Sequence, residues 1–232
     1  MLFGRRDVSG KYFAVPNWIF DRELDSVAVA IYIYLRFNEY RRYNAPLVNI
    51  KKLSDELKVS EAVIEKRIRI LLSRNMIDIE HGYIFLLTVR IRNPYVFFRQ
   101  KKVESIKRSF LLPNEVFTLG LCAGELAVYA FLLSCEDRKT YQCYPSYNTI
   151  GSAISMSRGT VTKYVNSLVD KRMIYTESTT VWGKGGKKRN GNLLYTIRPI
   201  TDAVAYKVES NFGNFTKTRG TGVRGRYGKK AG

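Results

Sequence analysis

An internal repeat constrains the fold of this chain more than any other feature of its 232 residues. The segment that begins at Tyr12 aligns without a gap with the segment that begins 97 residues later at Ser109, and the register continues to Ile77 and Ile174. Between positions 13 and 77, fifteen residues are identical and the apolar positions coincide. A repeat of this length indicates two copies of one domain, because the units of a solenoid are only about 20 to 50 residues long.

The same order of local patterns occurs in both copies. A Pro-Asn turn precedes an apolar helix (28–37 and 125–134), a short helix with a small polar N-cap residue, a turn, and a longer helix that begins after Ser60 or Ser157. Strand patterns follow, with a hairpin that turns at His81-Gly82 in the first copy. This order predicts a mainly α fold with small β-hairpin wings (α+β), namely two tandem winged helix-turn-helix domains.

The predicted organisation has four parts. They are an N-terminal winged-helix domain at 1–92, a basic linker at 93–108, a C-terminal winged-helix domain at 109–202 and a basic, Gly-rich flexible tail at 203–232. Six basic residues and no acid in residues 211–232, together with many Gly and Thr residues, argue against a packed structure there.

The longer helix of the second copy has an outward face that suits nucleic acid. Helical spacing turns Val161, Val165 and Leu168 inward and leaves a face without an acid. That face consists of Arg158, Gly159, Thr162, Lys163 and Asn166. The second helix of a helix-turn-helix enters the major groove, which is ~12 Å wide. A solvated helix face is the alternative interpretation.

Individual roles follow from the chemistry of these side chains. Arg158 is suited to fork to guanine, and Asn166 is suited to pair with adenine. The amides near Ser157 and Thr160, where the helix begins, favour a phosphate.

The loop at 182–192 predicts a basic wing. Its four glycines accompany four cations that suit a DNA backbone or minor groove: Lys184, Lys187, Lys188 and Arg189. A nucleotide-binding loop is excluded, because the Gly-x4-Gly-Lys-Ser/Thr order is absent and the segment joins two strands. A hairpin tip without function is the alternative.

The corresponding helix of the first copy is a weaker candidate. Glu61 and Glu65 near the helix start repel phosphate, and the residues expected to contact a DNA backbone are Lys51, Lys52, Lys66 and Arg69. Protein contacts are an open alternative for this copy.

Charge supports the same interpretation. The chain carries 39 Lys+Arg against 20 Asp+Glu, a net charge of +19, and the excess occurs in both copies and in the tail. Such a field attracts a polyanion, for which nucleic acid is the commonest intracellular example. Anionic lipid and simple solubility are the alternatives.

Enzymatic activity is not predicted. The single histidine, His81, argues against metal nickases that need two histidines. There are no paired carboxylates in a metal-site arrangement and no nucleophile elbow, and most of the sixteen tyrosines lie in apolar patterns such as IYIYL. No cofactor and no metal are expected.

The second copy resembles a known family through PNEVF, AGELAVYAFLL, CYPSYNTI and SMSRGTVTKYVNSLVDKRMI. These motifs are similar to the winged-helix domain of small proteins from bacterial mobile elements and phages, which typically bind DNA. The resemblance places Ser157, Arg158, Thr160 and Lys163 on the recognition helix. Where the group usually has glycine in the turn and alanine in the first helix, this chain has Ser155 and Gly151. The paired F-x-x-P-N-x-[IV]-F openings are also similar to plasmid replication initiators, which commonly pair two such domains.

The predicted function is therefore sequence-specific binding of double-stranded DNA, as a transcription regulator or a replication initiator of a mobile element. Two alternatives stay open: a nonspecific RNA or single-strand binder that uses the tail, and a protein-interaction scaffold. The expected location is the cytoplasm, with the nucleoid, and no membrane is expected as a partner. A homodimer and the replication or transcription machinery are open partners.

Overall fold

The computed structural model describes residues 12–42, 49–80, 83–87, 109–182 and 188–219. Within these ranges the chain forms seven α-helices and three small antiparallel sheets. The predicted α+β class is confirmed. The predicted linker at 93–108 and the hairpin turn at His81-Gly82 lie outside the described residues.

The first half contains one strand, a 3-10 helix, three α-helices and a hairpin. In chain order these are β1 (Tyr12–Pro16), a 3-10 helix (Asn17–Asp21), α1 (Ser26–Arg42), α2 (Ile50–Leu57), α3 (Glu61–Ser73), β2 (Ile77–Glu80) and β3 (Tyr83–Leu86). The hairpin strands β2 and β3 pair antiparallel.

The second half repeats this order and adds two elements. Its elements are β4 (Ser109–Pro113), a 3-10 helix (Asn114–Thr118), α4 (Ala123–Cys135), β5 (Gln142–Cys143), α5 (Tyr147–Ala153), α6 (Arg158–Asp170), β6 (Ile174–Trp182), β7 (Lys188–Ile197) and α7 (Ile200–Arg219). The strand β4, the second 3-10 helix and α6 have bounds 97 residues after those of β1, the first 3-10 helix and α3.

The helix starts follow the polar residues that precede them. Asn49 caps α2 by accepting from the Lys52 amide at 2.8 Å, and Ser146 caps α5 by accepting from the Thr149 amide at 3.0 Å. These bonds satisfy amides that have no partner inside the helix. Ser60 occupies the N-cap position of α3 as predicted, but its side chain makes no capping hydrogen bond.

Left-handed backbone turns occur at equivalent places in the two halves. Three pairs of residues, each 97 positions apart, have φ between +51° and +67°: Glu23 and Gly120, Lys58 and Ser155, and Asn75 and Arg172. Five of these six residues carry a side chain, and L-residues with a side chain visit this region at a cost of about 1 kcal/mol. The path of the backbone is thus shared even where the residue types differ.

An antiparallel ladder joins the halves, and the sequence did not predict it. β1 pairs with β4, with Tyr12 opposite Pro113, Ala14 opposite Leu111 and Pro16 opposite Ser109. Behind this ribbon α1 packs on α4. Both helices are buried almost all round, with residues 28–35 of α1 and 123–133 of α4 all buried. A helix that is apolar on every side must have neighbours on every side.

The C-terminal segment differs from its prediction. Residues 203–232 were expected to form a flexible tail, but α7 extends from Ile200 to Arg219. Ile200 and Ala203 are buried, and Arg172 stacks on the Tyr206 ring with 4.6 Å between Cζ and the ring centroid. The apolar residues at the start of this segment recur at helical spacing, and their burial stabilises a helix there. The prediction of a flexible tail gave too much weight to the Gly/Thr-rich residues that follow.

Two lysines attach further elements to the turn after the second 3-10 helix. Lys207 of α7 donates to the Thr118 carbonyl at 2.5 Å, and Lys58, at the end of α2, donates to the Gly120 carbonyl. The Thr118 carbonyl ends the short helix and the Gly120 carbonyl lies in the turn just after it, so each can accept from a lysine. The turn therefore contacts both the first half and α7.

The ring of Phe117 is the best place to test the junction. Its centroid lies 4.4 Å from that of Phe37 and 5.5 Å from that of Tyr34, both in the first half. Phe117→Ala should lower the free energy of unfolding by about 3 kcal/mol, because it leaves a cavity between the halves. Urea denaturation followed by circular dichroism measures this change. The control Tyr144→Ala removes an exposed ring and should change stability by less than about 0.5 kcal/mol; equal effects of the two changes would contradict the prediction.

Candidate nucleic-acid interface

α5, the turn after it and α6 form a helix-turn-helix arrangement in the second half. Val161, Val165 and Leu168 of α6 are buried, which confirms the predicted inward face. α6 packs on both α4 and α5. The opposite side of α6 is therefore held towards solvent.

The turn between α5 and α6 is tight. The Met156 amide donates to the Gly151 carbonyl at 2.8 Å, and a Cβ on Gly151 would lie only 2.5 Å from the Met156 carbonyl oxygen. An alanine at this position would force the turn to move. Ser155 has φ +52°, so it adopts the left-handed conformation that glycine adopts most readily. Gly151 and Ser155, the two residues that differ from those usual in the resembling group, therefore lie in this same turn.

The predicted site residues of α6 lie together along its exposed side. Arg158, Gly159, Lys163 and Asn166 are exposed, and the first turn of the helix carries no acid. A Cβ on Gly159 would meet nothing within 4 Å, so the backbone there is open to a close approach. This surface combines cations, amide donors and accessible backbone.

The hydroxyl groups of the site are already engaged in local hydrogen bonds. The Ser157 Oγ accepts from the Thr160 amide at 3.3 Å and lies 2.8 Å from the Thr160 Oγ1. The Thr162 Oγ1 donates to the Arg158 carbonyl at 2.9 Å, and both threonines are half-buried. Ser157 and Thr160 therefore shape the helix start, while Arg158, Lys163 and Asn166 present the freest polar groups.

A buried carboxylate that sequence reasoning missed fixes the position of α6. Glu125, in the first turn of α4, is only 6% exposed. Its Oε2 accepts from the Cys122 amide at 2.8 Å, and its Oε1 accepts from Lys171 at 2.5 Å and from the Ser167 hydroxyl. Burial opposes the charge of Glu125, but these donors outweigh it and hold the pKa of the carboxyl below its ordinary value. The one detectable signal in the sequence is an acid inside an otherwise apolar helix.

Close packing of α4 on α6 accompanies this anchor. A Cβ on Gly124 would lie 2.3 Å from the Cε2 atom of Tyr164. Only a residue without a side chain lets the tyrosine ring lie against the start of α4. The hydrogen bonds of Glu125 with Ser167 and Lys171 therefore fix the C-terminal end of α6. The contact of Tyr164 with Gly124 fixes the middle of the same helix.

The first half also holds α3 by a carboxylate at the start of its long helix, but through different residues. Asp25 caps α1 by accepting from the Ala28 amide at 2.9 Å, and its other oxygen accepts from the Arg67 Nε at 2.5 Å. Asp25 lies 97 residues before Cys122, and Arg67 lies 97 residues before Tyr164. In both halves a carboxylate at the start of the long helix thus anchors the third helix.

The outward face of α3 is nearly neutral. Lys66 is exposed, whereas Arg69 lies 3.6 Å from the Glu65 carboxylate in an exposed pair. Such a pair is weak, at about 0.5 kcal/mol, and leaves Arg69 accessible. Glu61 stands in the first turn of this helix, where α6 has a cation.

The wing of the second half is longer than predicted. β6 ends at Trp182 and β7 begins at Lys188, so strand residues occupy part of the segment 182–192 that was predicted to be a loop. β-branched residues favour strand, and a register shift between Ser178 and Thr180 allows the ladder to continue. In β7, Lys188 and Arg189 pair with residues 182 and 181, while Lys184 and Lys187 lie outside the described residues.

Comparison with models of protein families gives a match in the second half of the chain. Residues 119–174, from the end of the second 3-10 helix to the start of β6, match the family model described as a helix-turn-helix domain. No match was found among the curated proteins. The matched segment covers α4, α5 and α6 and supports a helix-turn-helix protein that binds DNA.

Two further findings concern only the described part of the chain. None of the helices described is long and apolar enough to cross a membrane. Over the same residues, no group of three His, Cys, Asp or Glu side chains is arranged to hold a metal ion.

The anchor at Glu125 predicts a pH-dependent contribution to stability. Glu125→Gln should lower the free energy of unfolding at pH 7 by about 1 to 3 kcal/mol, because charged hydrogen bonds are replaced by weaker ones. The pKa of Glu125 is lowered by folding, so its contribution is complete above the ordinary value of 4.5 and disappears as pH falls through the folded pKa. The difference between the two proteins should therefore shrink below about pH 4, as measured by urea denaturation at several pH values. The exposed Glu177→Gln serves as the control, and a difference that stays constant down to pH 3 would contradict the prediction.

Proposed function

We propose that the chain is a sequence-specific double-stranded DNA-binding protein that acts as a transcription regulator or as a replication initiator of a mobile element. The observation that carries this proposal is the exposed face of α6, which has no acid before the last residue of the helix, Asp170, inside the segment that matches a helix-turn-helix domain. The net charge of +19 supplies the general attraction to a polyanion. The alternative scaffold role does not account for this concentration of donors on one helix.

In the proposed complex α6 lies in the major groove. Arg158 forks to a guanine, Asn166 pairs with an adenine, and Lys163 contacts a base or a nearby phosphate. Ser157 and Thr160 orient the helix start, where the Arg158 and Gly159 amides meet a backbone phosphate. The basic wing, which includes Lys184, Lys187, Lys188 and Arg189, follows the backbone or the minor groove.

The first half is proposed to be a second winged-helix domain of the same design. The element bounds at a 97-residue offset and the matched left-handed turns support this assignment. Its contacts with DNA are proposed to be backbone contacts by Lys66 and Arg69, because Glu61 and Glu65 disfavour close approach of a phosphate. The four-part organisation at 1–92, 93–108, 109–202 and 203–232 is retained with one change: the last part begins with helix α7 at Ile200.

Substitution in α6 tests specific binding. A binding motif is first selected from random duplexes with the full chain, and affinities are then measured by fluorescence anisotropy. Arg158→Ala and Lys163→Ala should each weaken binding to the motif by about 5- to 150-fold, the equivalent of ~1 to 3 kcal/mol, and change binding to scrambled duplex much less. Lys139→Ala removes one exposed charge outside the helix and is the matched control. An equal loss on both duplexes would make Arg158 a phosphate contact, and a chain that selects no motif would refute specific reading.

Substitution in the wing should have the opposite signature. Neutralising Lys187, Lys188 and Arg189 to Gln should weaken binding to the motif and to scrambled duplex alike, because interactions with phosphates carry no sequence information. The slope of log affinity against log salt should flatten by about one for each phosphate that the wing no longer neutralises. Removal of residues 220–232 provides the comparison: if binding disappears with those residues while the wing changes have no effect, the nonspecific single-strand or RNA alternative is supported instead.

A further inference from the structure

We infer that one copy of this chain reads a DNA site whose two half-sites are inverted, with most of the sequence information in the half-site under α6. This inference rests on the proposed function and adds the symmetry of the target. Tandem domains by themselves are compatible with direct repeats, with inverted repeats or with a single half-site. The junction between the halves distinguishes these arrangements.

The register of the β1–β4 ladder relates the two halves by a two-fold rotation. If every residue is exchanged for its equivalent 97 positions away, the pair Phe13–Leu112 becomes Phe110–Val15, which is another pair of the same ladder. The central pair, Ala14–Leu111, becomes itself. A ladder with this property has a two-fold axis through its centre. A rotation by 180° about that axis exchanges the two strands, whereas a translation of one half onto the other does not.

The aromatic packing around the ladder obeys the same rule. Phe20 lies 6.0 Å from Phe110 between ring centroids, and the equivalent pair, Phe117 and Phe13, lies 6.3 Å apart. A second pair of contacts is edge-to-face: Phe20 meets Phe131 at 5.1 Å and 89°, and Phe117 meets Tyr34 at 5.5 Å and 87°. These ring contacts therefore form two pairs related by the axis. Only the ring of Phe37, which contacts Phe13 and Phe117, lacks an aromatic counterpart among these contacts, because Ser134 occupies the equivalent position.

The consequence concerns how α3 and α6 meet DNA. A two-fold rotation leaves the direction along its axis unchanged, so the outward faces of α3 and α6 make the same angle with that axis. Helix-turn-helix dimers use this relation to read inverted half-sites about one helical turn, ~10 bp, apart or a multiple of it. Here the covalent chain supplies both members of the pair.

The two reading faces differ in charge, which makes the site asymmetric. At equivalent positions α6 carries Arg158, Thr162 and Asn166, whereas α3 carries Glu61, Glu65 and Arg69. Lysine alone is common to both, as Lys66 and Lys163. The strands beside α6 have 9 and 10 residues, against 4 and 4 beside α3. The half-site under α6 is therefore expected to be read in detail, and the other mainly through its backbone.

A symmetrised variant tests the inference directly. Glu61→Arg, Ala62→Gly, Glu65→Thr and Arg69→Asn give α3 the outward residues of α6 and leave Lys66 in place. Random-duplex selection with this variant should enrich an inverted repeat of the half-site that the unaltered chain selects. It should bind an inverted-repeat probe at least ~10-fold more tightly than a direct-repeat probe of equal spacing. Preference for the direct repeat, or none between the two, would overturn the inference.

The unaltered chain provides a second test that does not need the variant to fold. In hydroxyl-radical footprints of the selected site, Arg158→Ala should reduce protection in one half and Lys66→Ala in the other. In each protected segment the contacts on one DNA strand are displaced relative to those on the other strand. This displacement should have opposite directions in the two segments, because the half-sites are inverted. Native mass spectrometry should find one chain per site. Two chains per site, or weaker protection in the same half from both changes, would contradict the inference. A chain that selects no motif at all would instead refute the proposed function.

Discussion

The pairing of β1 with β4 is the interaction on which the rest of this structure depends. A two-stranded ribbon is only marginally stable by itself. It persists here because the Phe13, Phe20, Phe110 and Phe117 rings pack beneath it and α1 lies against α4. This junction explains why both long helices are apolar on nearly every side: each packs against its own α3 or α6 and also against its equivalent in the other half. Separation of the halves would expose both helices to water.

The local elements were largely predictable because short-range rules decide them. Polar N-cap residues, helical spacing of Val161, Val165 and Leu168, and the 97-residue register predicted the helices that the structure shows in the two halves. The strand before each Pro-Asn turn was missed, because its partner lies about 97 residues away and five residues carry little pattern of their own. Symmetry in the sequence indicated that two copies exist but not how they are joined.

The parts that failed depended on contacts between distant residues. Composition predicted a flexible segment from residue 203. In the structure, Ile200 and Ala203 are buried, and Lys207 donates a hydrogen bond to the Thr118 carbonyl. Glu125 was missed as an anchor for a related reason, since its donors Ser167 and Lys171 are 42 and 46 residues away. A buried acid is tolerable only where several donors converge, and a linear sequence does not reveal that convergence.

The division between scaffold and surface explains how the two halves have diverged. Buried positions keep their apolar character across the 97-residue offset, as with Ile64 and Val161 or Ile68 and Val165. Each half also retains a carboxylate that holds its third helix, although Asp25 and Glu125 occupy different positions and use different donors. Exposed positions are free of both constraints, and there α3 carries acids where α6 carries Arg158 and Thr162. Because the junction requires only that the two cores remain compatible, the exposed faces of α3 and α6 can carry different charges on the same frame.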